Sequence, residues 1–171
     1  MIVLANDDGK KMVERDDLES FLEEYAYVTG IELRLVGAGE RPDFICEKRG
    51  RRYGLELVRA MHYDGHLHGL DAAILIQETL YNKEKKRASP GWQYQRSTIL
   101  VIQLIGINGK EMATYLDDQL MDEMADTGFC EIWIADYSPM EPYDTVRLIG
   151  VKPKRWRGMH RHRFYGTKPY G

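Results

Sequence analysis

The sequence predicts a mixed α/β fold, one central sheet flanked by helices, and three observations predict it. Residues 99–105 are almost continuously apolar (Ile99-Leu100-Val101-Ile102, then Leu104-Ile105), the mark of a strand buried on both faces. Ahead of that run, two short strand-like pieces flank a basic turn, Lys48-Arg49-Gly50-Arg51, and read as a hairpin. Apolar residues recur at helical spacing over 14–29 and 70–87, before and after the hairpin. The resulting order is helix–strand–hairpin–helix–buried strand–helix–strand, which suits helices packed on a sheet.

Each element has its own warrant. Residues 1–13 read as a short strand or a loose arm. In 14–29, Leu18, Phe21, Leu22, Tyr25 and Val28 fall at helical spacing, and Gly30 is a fitting stop. Residues 31–36 alternate apolar and charged, as a first strand should, and Gly37-Ala38-Gly39 bends the chain. The hairpin then runs to about Ala60. Residues 61–69 form a loop with His62, Asp64, His66 and His68, whose spacing matches no closed zinc site; a structural or substrate-loop role is expected. In the 70–87 helix, Ala73, Ile74, Leu80 and Tyr81 bracket the expected buried arc, with Gln77 at its centre. A buried amide needs a partner, so Gln77 is either a satisfied core residue or part of a site. Ser89-Pro90-Gly91 ends this helix, and 92–96 is an aromatic and polar connector. Asn108-Gly109 turns the chain into a helix over 110–126. Residues 129–135 form another strand, and 145–151 add one at the edge.

The 171 residues make one domain, long enough for a sizeable core. Hydrophobic content of 43% with 30% charged residues places it among ordinary globular chains. No apolar run approaches the roughly 20 residues that span a bilayer, so no membrane partner is expected. Residues 1–8 lack the basic start of a signal peptide, and Cys46 and Cys130 read as buried thiols rather than a disulfide. A cytoplasmic protein is the simplest reading. The net charge of −3 hides an asymmetry. Residues 151–171 carry seven cations and no acid, including Lys154, Arg155, Arg157, Arg161 and Arg163, with Trp156, Phe164, Tyr165 and Tyr170 interleaved. Cations meet phosphates and aromatic rings stack on bases, so this segment suits nucleic acid. The alternative is a basic tail lying over the acidic body of its own chain.

The hairpin holds the most informative residues. With Arg49-Gly50 as a two-residue loop, Asp43 and Glu56 each lie six residues from it and face each other across the strands. Their Cβ atoms are then roughly 4.5–5.5 Å apart. Phe44, Cys46, Leu55 and Leu57 share the opposite, apolar face. Like charges so placed repel unless something positive sits between them, and a divalent cation with oxygen ligands is the simplest candidate.

Arg41-Pro42-Asp43-Phe44-Ile45 followed by Gly54-Leu55-Glu56-Leu57-Val58 resembles the PD-(D/E)XK nuclease superfamily. The resemblance implies a restriction-endonuclease-like core, α-β-β-β-α-β-α-β, and a catalytic Mg²⁺ or Mn²⁺ held by Asp43, Glu56 and the backbone carbonyl of Leu57. Glu40, Glu23 and Glu24 are candidate supplementary acids. The motif lysine would stand at Val58, so the cation must come from elsewhere, as it does from the following helix in some members. Lys83, Lys85 and Lys86 are the candidates there, and Lys85, four residues beyond Tyr81, is the expected choice. Gln77 and Tyr81 are similar to the Gln-x-x-x-Tyr pair of the RecB-like branch, which lies beside the metal. The implied activity is metal-dependent hydrolysis of phosphodiesters in nucleic acid, with DNA as the favoured polymer and a homodimer left open. Two alternatives stand beside it, motivated by Val58 and by the tail. One is a degenerate nuclease scaffold that binds nucleic acid; the other is a binder of an acidic protein partner.

Overall fold

The computed structural model describes residues 7–62, 67–137 and 146–160. Seven strands form one mixed sheet, in the order in which they occur in the chain: β1 (Arg34–Ala38), β2 (Phe44–Lys48), β3 (Arg51–Met61), β4 (Thr98–Ile105), β5 (Glu131–Asp136), β6 (Arg147–Lys152) and β7 (Gly158–His160). The pairs β3–β4 and β4–β5 are parallel, and the other four are antiparallel. The apolar run predicted to be central is β4, buried along nearly its whole length.

Helices cover both faces. On one, α1 (Asp7–Thr29) lays Leu18, Phe21 and Tyr25 against Phe44, Cys46, Leu55 and Leu57. On the other, α2 (Gly69–Arg87) lays Ala72, Ala73, Ile76 and Leu80 against Ala60, Leu100 and Ile102. Two short helices, α3 (Gly109–Ala113) and α4 (Asp118–Ala125), extend the second core with Met112 and Met124.

Four expectations need correction. The first helix begins at Asp7, so 7–13 is neither strand nor loose arm. Strand β1 starts at Arg34, later than expected, and bulges between Leu35 and Gly37. The helix expected over 110–126 is two helices, because the Asp117 carboxylate accepts from the Leu120 amide at 2.8 Å and caps a new start. The buried arc of α2 centres on Ile76 rather than Gln77, leaving Ile74 44% and Tyr81 37% exposed. The strand expected at the edge is β6, with β7 paired beyond it, and the basic segment begins inside the fold: 151–152 end β6, and a 3₁₀ turn (Lys154–Trp156) and β7 follow. Cys46 and Cys130 are both free thiols, and burial pushes each up to about 12.

Candidate active site

The hairpin pairs in the register that the carboxylates require. Phe44 faces Leu55 and Lys48 faces Arg51, so the next rung beyond β2 is Asp43 with Glu56. The loop residues Arg49 and Gly50 both have positive φ (51° and 79°), a two-residue turn whose twist matches the strands. With Leu55 and Leu57 turned to the α1 core, Glu56 turns to the α2 side, as do Val58 and Ala60.

The segment carrying Asp43 is held at several points. The Gly39 amide donates to the Asp43 carbonyl at 2.8 Å, and the Gln93 amide to the Arg41 carbonyl at 2.9 Å. Pro42 is buried over Gly54, where a Cβ would stand 2.4 Å from the Pro42 ring and 3.0 Å from the Thr98 hydroxyl. The two acids are then oriented by amides. The Asp43 N–H donates to Glu56 Oε1 at 2.9 Å, and the Leu57 N–H to Asp43 Oδ2 at 3.2 Å.

A cation from α2 completes the group. Lys83 Nζ lies 2.5 Å from Glu56 Oε2; the Glu56 side chain is 4% exposed and that of Lys83 19%. Around them is a cleft of about 270 Å³ lined by Glu40, Arg41, Asp43, Glu56, Lys83, Lys86, Ser89 and Trp92. Trp92 is fixed by donating its indole N–H to Thr98 Oγ1 at 3.0 Å. Asp43 and Glu56, with Glu40 on the cleft wall, carry the hard oxygen donors that Mg²⁺ or Mn²⁺ takes, so the donor chemistry of the lining suits such an ion.

The remaining expected residues fall elsewhere. Lys85 is exposed and does not line the cleft. Gln77 Nε2 lies 3.5 Å from Glu123 Oε2 of α4, and Tyr81 faces outward. Leu57 joins the carboxylates through its amide. Glu24 is buried and Glu23 exposed on α1, across the sheet from the cleft. Arg59 points to the α1 side as its parity requires, 3.7 Å from Asp17. In the basic segment, Lys154 and Arg155 are exposed, with Arg155 stacked over Trp156. Arg157 is engaged by Asp122 at 2.6 Å and by the Val151 carbonyl at 3.2 Å. Arg161 and Arg163 lie outside the described residues, as do Asp64 and His66 of the histidine loop. No group of three or more His, Cys, Asp or Glu side chains placed to hold a metal ion occurs among the described residues, and no described helix is long and apolar enough to cross a membrane.

Arg41, Ser89 and Trp92 line the cleft although no sequence pattern marks them as site residues, and of the three candidate lysines on α2 it is Lys83 that meets Glu56. A signal for Lys83 was present: Ile76, Leu80 and Lys83 follow at i, i+4 and i+7, so the phase set by Ala72-Ala73 carries the lysine onto the sheet side. No family model, curated protein or solved structure matches the chain.

Proposed function

We propose that this protein is a metal-dependent nuclease that hydrolyses phosphodiester bonds, with DNA as its first expected substrate. The observation that carries the reading is the meeting of Asp43, Glu56 and Lys83 in one cleft, the two acids on one rung and the cation from the next helix. The element order also supports a restriction-endonuclease-like core. It follows α-β-β-β-α-β-α-β, with the third helix in two pieces.

Asp43 and Glu56 would hold the Mg²⁺ or Mn²⁺, which when bound polarises the scissile phosphate and lowers the pKa of an attacking water. The rest is the chain's own work. The Asp43 and Leu57 amides fix the two carboxylates relative to each other, so their geometry is set before substrate arrives. Lys83 replaces the lysine that Val58 does not supply, and its ammonium stabilises the negative charge gathered on phosphorus in the transition state. Arg41 and Lys86, on the wall of the same cleft, meet the flanking phosphates.

The test is cleavage of labelled single- and double-stranded DNA and RNA with Mg²⁺, Mn²⁺ or EDTA. Metal-dependent cutting is expected, absent in Asp43→Ala and Glu56→Ala and reduced about 10²–10³-fold in Lys83→Met. Binding without cutting by the wild type would instead support a degenerate scaffold, the reading that Val58 favours.

A further inference from the structure

We propose that Lys83 is a built-in counter-cation that competes with the divalent ion for Glu56, and that metal entry moves its ammonium off the carboxylate toward the substrate. This rests on the nuclease reading of the cleft and deepens it.

Both oxygens of Glu56 are engaged, Oε1 by the Asp43 amide at 2.9 Å and Oε2 by Lys83 Nζ at 2.5 Å. The carboxylate is almost wholly buried beside a second acid, and the Lys83 ion pair supplies the positive charge this arrangement requires. A small divalent ion bonds carboxylate oxygen at about 2.0–2.1 Å, and an ammonium already at hydrogen-bond distance from Oε2 repels it. The two cations therefore exclude each other at that oxygen. Lysine suits such an exchange better than arginine would, because it is a compact charge on a flexible stem rather than a planar fork. Lys83 also has somewhere to go, since its side chain is partly exposed and lines the cleft in which substrate phosphate would lie.

The experiment is a Mn²⁺ titration of the full chain, following unbound Mn²⁺ by electron paramagnetic resonance, with wild type, Lys83→Met, Lys83→Gln and Asp43→Ala. Removing the lysine charge is expected to tighten Mn²⁺ binding at least about fivefold, the lower end of ordinary site-to-site coupling. In EDTA the same variants are expected to melt lower than wild type, and to gain more Tm on adding Mn²⁺. Should Lys83→Met not fold, Lys83→Gln, which keeps a donor for Glu56 without the charge, is read in its place. Wild type offers an independent measurement: reductive methylation of Lys83, followed by mass spectrometry, is expected to be faster with Mn²⁺ than with EDTA. Asp43-dependent Mn²⁺ binding with unchanged or weaker affinity in the Lys83 variants would overturn the competition and leave the nuclease reading intact. Absence of Asp43-dependent binding in wild type and variants alike would overturn both.

Discussion

Gly54 and Pro42 show how single residues set the site. The five-membered ring of Pro42 lies where any side chain at position 54 would have to begin, and the Thr98 hydroxyl closes the other side. Neither neighbour yields easily. Pro42 is a rigid ring between the pinned Arg41 and Asp43, and Thr98 is tied to Trp92 and to the Tyr94 carbonyl. Gly54→Ala is therefore expected to cost about 1–3 kcal/mol in urea unfolding, the usual penalty for overpacking. It should also weaken Mn²⁺ binding by shifting Asp43; a variant with wild-type stability and affinity would show that Pro42 does not set the acid's position. The carboxylates themselves were legible in the sequence, because a two-residue loop fixes register and parity by counting. Gly54 was not, because the reason for a glycine there lies in another segment of the chain, the ring of Pro42 ahead of β2.

Helix α2 shows what periodicity leaves open. Leu70, Ile74 and Tyr81 are apolar and helically spaced, yet they face outward, and the smaller Ala72 and Ala73 lie against the sheet with Ile76 and Leu80. Two apolar arcs on one helix compete, and the alanines, which permit close approach to the sheet, mark the buried one. Ile76→Ala is expected to cost about 2–5 kcal/mol and Ile74→Ala within about 0.5 kcal/mol in urea unfolding. The reverse order would mean that the helix is rotated. That rotation would remove Lys83 from Glu56. The end of α2 has a pH signature as well. Burial raises the Glu84 carboxyl, but hydrogen bonds from Arg87 and from the Gly128 amide, with the charges of Arg87 and Lys152, outweigh it and hold it below its ordinary 4.5. A depressed acid stabilises the fold above its unfolded pKa, and that contribution is lost as pH falls through the folded value. Wild type should thus melt above Glu84→Gln at pH 7, with the gap closing below pH 4.5. A gap that persists at low pH would assign the difference to packing.

At the scale of the molecule, a buried polar network ties three distant parts of the chain together on the face opposite the cleft. Glu131 at the start of β5 pairs with Lys48 at the end of β2, and accepts from the Tyr25 hydroxyl of α1 at 3.0 Å and from the Trp133 indole at 2.9 Å. Lys48 also reaches the Tyr25 hydroxyl at 3.2 Å and lies over the Tyr53 ring. Burial and the neighbouring Glu131 push the Tyr25 hydroxyl far above its ordinary pKa, so it remains a donor at any working pH. In the sequence Lys48 belongs to a basic hairpin turn, and nothing local links it to a residue 83 positions away. Long-range pairing of this kind is decided by strand order, which periodicity does not give. Because the Lys48 side chain is only 12% exposed and Glu131 8%, removing one partner strands a buried charge. Lys48→Met is expected to lose about 3–5 kcal/mol, read as a lower urea midpoint at unchanged m. Adding Glu131→Gln should restore part of that loss, since the amide removes the unpaired charge while its oxygen still accepts from Tyr25 or Trp133. If the double variant is instead no better than Lys48→Met alone, the cost lies in the lost contacts of the ammonium with the Tyr25 and Tyr53 rings.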